Sequence, residues 1–216
     1  ETLEDERFAS GEHTLLLVFE EGEEEYNHAQ FADPSYAIEH VEPEQMTEKN
    51  LSALVRKYSA ERVIVEYNGM WELQKFFDAM PDGWAIAQVM TFFDATTFLA
   101  YNKNMRQLVY DKVQYADMVV FNRFRGEYSK EEFHKIIRGM TRRPDIVYEY
   151  LGGKAEYDEI VDPLPYDIDA PIIEIADRDY AFFYRDLVEE TEKYRGKTVR
   201  FKGLVATDKS MKKGTI

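Results

Sequence analysis

Hydrophobic positions fall into short continuous apolar runs separated by stretches of helical periodicity. Leu15-Leu16-Leu17-Val18-Phe19 has no polar interruption, the pattern of a strand buried on both faces. Thr47 to Tyr58 follows, with Leu51, Leu54 and Val55 at helical spacing behind an N-cap residue, Thr47. A second buried strand is predicted over about Arg62 to Val65. It leads into a helix over Trp71 to Met80, with Leu73, Phe76, Phe77 and Met80 on one face and Pro81-Asp82-Gly83 as its stop. Strand and helix then alternate: Ala85 to Phe93, about Lys103 to Tyr115, Met118 to Phe121, Ser129 to Met140, and Ile146 to Tyr150. Such βα alternation predicts an α/β domain, a mainly parallel sheet with helices on both faces.

Three prolines between Asp162 and Pro171 suit neither a helix nor a central strand, so residues 162–171 read as a linker after a domain over 1–161. Beyond it the pattern predicts Ile172 to Ile175 extended, a helix from about Asp179 to Tyr194, and a strand from Thr198 to Val205, the start of a small β-rich unit over 172–216. At the other end, Thr2 to Phe8 reads as the tail of a helix whose beginning lies upstream.

Composition narrows the function classes. The 216 residues are 44% hydrophobic, enough for one good-sized core. No apolar run approaches a membrane span, and the N-terminus does not read as a signal peptide, so a soluble, cytoplasmic chain without direct membrane insertion is expected. The formal charge of −15, from 42 acidic against 27 basic residues, argues against nucleic acid as a partner. The acids concentrate in the first third and the basic residues toward the C-terminus, after Lys193. There is no cysteine, which excludes disulfides and thiolate metal sites.

Candidate chemistry lies where strands end, because ligands of open α/β sheets sit at the C-terminal ends of strands. The first strand ends in Glu20-Glu21-Gly22-Glu23, the second in Glu66-Tyr67-Asn68-Gly69, the third in Asp94, and the fourth in Asn122-Arg123-Phe124-Arg125. Glu66 reads either as a carboxylate that organises a phosphate-bound Mg²⁺ or as a cap for the next helix. Glu20 and Glu23 suit a hard cation but equally a solvated loop. Asn122 suits a base or ribose contact, or a turn. The histidines His13, His28, His40 and His134 do not fall at metal-site spacing.

These segments, in this order, resemble the CobW/HypB/UreG class of P-loop GTPases and metallochaperones over about residues 1–150. Val63 to Gly69 is similar to that family's E-x-x-G Walker B segment, and Glu20 to Glu23 to its E-x-G-E switch. Met90 to Phe98 resembles its V-V-D-A-x-x-F strand. Tyr115 to Arg123 resembles the A-D-x-x-x-x-N-K strand that reaches the guanine base, and Ile137 to Ile146 the L-R-x-x-N-P element. The resemblance implies GTP or ATP and Mg²⁺ as cofactors and nucleotide-dependent switching. Glu66 would hold Mg²⁺ through water, Glu20 and Glu23 would couple a switch loop to metal, and Gly22, Gly69, Asp94, Asn122 and Arg123 would line the nucleotide. Residues 172–216 resemble an uncharacterised bacterial domain found with permease-like membrane proteins, through Asp179 to Phe183 and Gly196 to Gly203. The implied partners are a metal-acceptor protein or a permease-like membrane protein.

The departures are as informative. The 216 residues hold no G-x-x-x-x-G-K-[ST] loop, so the expected fold is P-loop NTPase-like with its first strand and phosphate loop absent, and this chain is expected to bind nucleotide weakly or not at all. The family's cysteine metal motif is missing. Arg125 stands where an aspartate would specify guanine. The alternative expectation is a non-enzymatic interaction module that keeps the fold without turnover.

Overall fold

The computed structural model describes residues 2–6, 9, 11–19 and 26–204. Within them the chain runs β1 (Thr14–Val18), β2 (Ala37–His40), α1 (Glu48–Tyr58), β3 (Arg62–Glu66), α2 (Leu73–Ala79), β4 (Met90–Asp94), α3 (Phe98–Asn104), α4 (Arg106–Val113), β5 (Met118–Phe124), α5 (Lys130–Arg138), β6 (Asp145–Tyr150), β7 (Ala155–Tyr157), β8 (Ile173–Glu174), α6 (Tyr180–Glu189), α7 (Thr191–Tyr194) and β9 (Val199–Arg200). It divides into two compact units, one of residues 1–89 and 100–115, the other of 90–99 and 116–216.

The first unit is built on a parallel sheet in the order β2-β1-β3. β1 is buried at every position. Leu15, Leu17 and Phe19 pack with Leu51 of α1 and Phe76 of α2, while Leu16 and Val18 pack with Leu3 and Tyr36. A continuous apolar strand therefore serves two cores, one on each face. Leu15→Ala would cost about 2–5 kcal/mol by the usual penalty for truncating a core side chain. The predicted cap holds, since Thr47 Oγ1 accepts a hydrogen bond from Asn50 N at 3.3 Å.

The second unit carries the sheet β4-β5-β6-β7, parallel through β6 and antiparallel at β7. Its core is aromatic. Phe121 packs 4.7 Å from Phe98 and 4.8 Å from Phe133, and Phe124 packs 4.6 Å from Tyr148, with all five rings almost fully buried. Toward the C-terminus, Ile173, Ile175, Phe183 and Tyr194 form a smaller cluster. Arg142, in the turn after α5, pairs with the fully buried Asp186 of α6 at 3.0 Å, and its guanidinium lies 4.3 Å from the Phe182 ring centroid.

The mixed α/β class with predominantly parallel strands is as expected, but several elements differ. The strands form separate hydrogen-bonded sheets rather than one. Residues 85–89 are not strand, and Ile86 is 48% exposed, so their apolar alternation faces no core of its own. The helix expected over 103–115 is two, α3 and α4, broken at Met105, whose φ of −131 and ψ of 41 lie outside helical geometry. The helix expected over 179–194 breaks at Glu190 in the same way, with φ −127 and ψ 53. The strand expected from Thr198 is only two residues long in the described part, so residues 172–204 are more helical than β-rich. Of the helix tail expected over Thr2 to Phe8, Thr2–Glu4 is a 3-10 turn, and residues 7 and 8 lie outside the described residues. Among the described residues, no helix is long and apolar enough to cross a membrane.

Candidate functional site

In the second unit three of the expected residues come together. Asp94 and Asn122 are register partners at the C-terminal ends of β4 and β5, and Ala95 N donates to Asn122 O at 3.0 Å. Just past this pair the β5–β6 register shifts between Phe121 and Phe124, a bulge that re-aims the residues between them. Arg123 takes a left-handed backbone with φ 52, uncommon for a side chain with a Cβ. From there its guanidinium donates to Asp94 Oδ2 at 2.9 Å.

Asp94 is held on its other side by Thr96, whose backbone N–H at 2.8 Å and hydroxyl at 2.6 Å both donate to Oδ1. Burial alone would raise the Asp94 carboxyl, but the Thr96 bonds and the Arg123 charge outweigh it, so Asp94 sits below the ordinary carboxylate range. The carboxylate is thus an organised acceptor with a fixed cation beside it. Asn122 Oδ1 is buried and has no hydrogen-bond partner. A buried acceptor without a donor costs free energy, and at the mouth of a parallel sheet it suits an N–H group brought by a ligand. Arg125 is half-exposed, its guanidinium 4.0 Å from Glu127 Oε1.

In the first unit Glu66 ends β3 beside the end of β1, and Phe19 N donates to its carbonyl at 2.9 Å. Its carboxylate accepts a short hydrogen bond from the Tyr26 hydroxyl. The loop after Glu66 is tightly organised. Asn68 Oδ1 accepts from Met70 N at 2.8 Å, and Tyr67 donates to Glu72 O at 2.9 Å. Burial, then the charges of Asp111 and Glu72, push Tyr67 up to about 12. Lys112 of α4 donates to Trp71 O and lies 5.3 Å from the Tyr67 ring centroid, while Asp111 accepts from Leu73 N at 3.0 Å. Burial lowers the Lys112 ammonium against the opposing pull of Asp111. A Cβ at Gly69 would meet no atom of the chain within 4 Å, so nothing in the fold itself requires glycine there.

Glu20, Gly22 and Glu23 lie outside the described residues. Among the described residues no group of three or more acids and histidines gathers at metal-binding geometry. Glu66 belongs to no such group, and as a single carboxylate it would leave most of a Mg²⁺ shell to bound water and phosphate oxygens. His134 is buried, with Nδ1 2.5 Å from Asp158, itself 1% exposed, and Nε2 3.2 Å from Asp162. The second contact lacks hydrogen-bond geometry. Sequence reasoning singled out neither Tyr26, Thr96, Lys112 nor Asp158. The adjacency of Thr96 to Asp94 is the one local signal, since a hydroxyl two residues after an aspartate commonly closes an Asx-type turn.

No family model, no curated protein and no solved structure matches the chain.

Proposed function

We propose that the chain is the nucleotide-binding part of a Mg²⁺-requiring switch with a P-loop NTPase-like fold, as the motif order suggests. The observation that carries the reading is the buried, unpartnered Asn122 Oδ1 at the C-terminal end of a parallel strand, flanked by the Asp94–Arg123 pair. An acceptor in that position suits the exocyclic amine or ring N–H of a nucleobase. Within the first unit, Glu66 at the end of β3 is read separately as the carboxylate that would organise Mg²⁺ through water. GTP or ATP is the ligand class, and a metal-acceptor or permease-like protein the class of partner. One observation favours a second reading, an interaction module without turnover: no phosphate-cradling loop occurs in the 216 residues.

Photolabelling with an 8-azido guanine nucleotide at millimolar concentration tests the proposal. Label recovered in peptides spanning 94–97 or 122–128, and lost in Asn122→Ala, supports it. Label confined to other peptides overturns it.

A further inference from the structure

Arg142 sits in the turn after α5 with its guanidinium fixed on two sides. Nη1 donates to the fully buried Asp186 at 3.0 Å, and the guanidinium carbon lies 4.3 Å from the Phe182 ring centroid. The opposite edge is different. Nε and Nη2, the two nitrogens that grip a carboxylate side by side, are both buried and have no hydrogen-bond partner. The acid facing Nη2 is Asp162, whose Oδ2 stays 3.9 Å away. The same oxygen lies 3.2 Å from His134 Nε2, again without hydrogen-bond geometry. His134 Nδ1 is directed at the buried Asp158, so in the neutral ring Nε2 is an acceptor, and a carboxylate has no hydrogen to give it. Three buried polar atoms of two side chains are thus left without partners beside one ill-fitting carboxylate. Each costs free energy that only a better partner recovers.

We propose that Asp162 stands in for an external ligand, and that His134 and Arg142 form a site for a small 2-hydroxy carboxylate, its carboxylate on the Nε–Nη2 edge and its hydroxyl donating to His134 Nε2. The two ends are close enough for one small molecule, since Nη2 and Nε2 both lie within 4 Å of a single Asp162 oxygen. A carboxylate also replaces Asp162 charge for charge. A phosphate dianion would add a second negative charge beside the buried Asp158 and Asp186. Entry needs little rearrangement. The Asp162 side chain is 36% exposed and lies between β7 and β8 in a stretch without helix or strand, so it can turn out to solvent. Downstream, the Tyr166–Tyr194 hydroxyl contact at 2.6 Å and the Lys197 bond to Ile168 O at 2.9 Å keep the rest of that stretch in place. The site shares no residue with the strand-end pair of Asp94 and Asn122, so it stands or falls apart from the nucleotide reading.

¹⁵N NMR of the arginine Nε–Hε groups in the 216-residue chain, titrated with sodium glycolate at constant ionic strength, tests this. Asp162→Ala removes the internal competitor, so glycolate should move the Arg142 signal at concentrations about tenfold lower than in the native chain, or lower still. Acetate lacks the hydroxyl and should bind that variant roughly tenfold more weakly than glycolate. Inorganic phosphate should bind no better than acetate. Arg142→Lys in the Asp162→Ala background keeps the charge beside Asp186 but loses the paired donors, so it identifies the Arg142 signal and should abolish the tighter binding. Movement of the His134 ring signals in step with one arginine signal gives the same localisation if the double variant does not fold. Equal glycolate affinity in the native chain and Asp162→Ala overturns the stand-in role. Acetate or phosphate binding as tightly as glycolate overturns the hydroxy-acid assignment, and no movement of the Arg142 signal in either protein overturns the site.

Discussion

Arg123 reaches from a left-handed backbone to the Asp94 carboxylate at 2.9 Å, across the ends of two parallel strands. The pair is more than half exposed on the Arg123 side, and exposed pairs of this kind contribute about 0–1 kcal/mol. A left-handed residue with a Cβ costs roughly 1–2 kcal/mol. The ion pair therefore does not offset the strain. The conformation is imposed by the bulge, whose flanking residues Phe121 and Phe124 are both buried.

Arg123→Gly follows directly from that imbalance. Removing the Cβ relieves the strain and loses the exposed pair, so urea unfolding should place the variant within about 1 kcal/mol of the native protein. A loss above roughly 2 kcal/mol would mean that the pair, rather than the bulge, holds the strand end.

Asn122→Ala separates a ligand acceptor from a structural one. Because Oδ1 has no partner in the fold, deleting it should leave stability unchanged or raise it by up to about 1 kcal/mol. Nucleotide affinity should fall about 10- to 100-fold in competition binding, the equivalent of roughly 1–3 kcal/mol for one lost hydrogen bond. A destabilised variant with unchanged affinity would return Asn122 to a turn residue.

Arg125 bears on base choice. A guanidinium has donors and no acceptor, so it cannot take the N–H groups of guanine as an aspartate would. GTP and ATP should compete about equally, and Arg125→Asp should raise the GTP preference by roughly 10-fold or more. A strong native preference for GTP would place base reading on another residue.

Acid should loosen the C-terminal helices through Asp186. Burial would raise this carboxyl, but the Tyr194 hydroxyl and the Lys193 and Arg142 charges outweigh it and set it below its ordinary range. The folded-state pKa is thus depressed. The stability Asp186 contributes is complete above the ordinary carboxylate range and is lost as pH falls through that range to the lower folded-state value. Asp186→Asn should cost about 3–5 kcal/mol at neutral pH, since it leaves Arg142 and Lys193 without their buried counter-charge. Chemical denaturation as a function of pH should show the native protein converging on the variant at low pH, whereas parallel curves would assign the acid sensitivity elsewhere.

Strands with one uninterrupted apolar run were legible in the sequence. β1, β3, β5 and β6 fall where the pattern puts them because continuous Leu, Val, Ile or Phe has no other economical burial in a small α/β unit. β2 was missed because its Ala-Ile-Glu-His reads as half-polar edge, and β7 because three residues carry no period. The helix breaks at Met105 and Glu190 have neither glycine nor proline to mark them, so tertiary packing rather than local preference ends those helices. At the site, the neighbourhood of Asp94 and Asn122 was readable from strand ends alone. The Tyr26–Glu66 and His134–Asp158 contacts span 40 and 24 residues and depend on loop paths that no local pattern encodes.

Amide NMR of the ¹⁵N-labelled chain during titration with Mg²⁺ and millimolar GTP tests the nucleotide reading most directly, because it maps even the weak binding expected without a phosphate loop. The account predicts that the fastest-moving resonances are the backbone amides of 94–97 and 122–125 and the Asn122 side-chain amide, and that Asn122→Ala abolishes their movement. Shifts confined to other residues, or none at all at these positions while GTP is shown to bind, would contradict it.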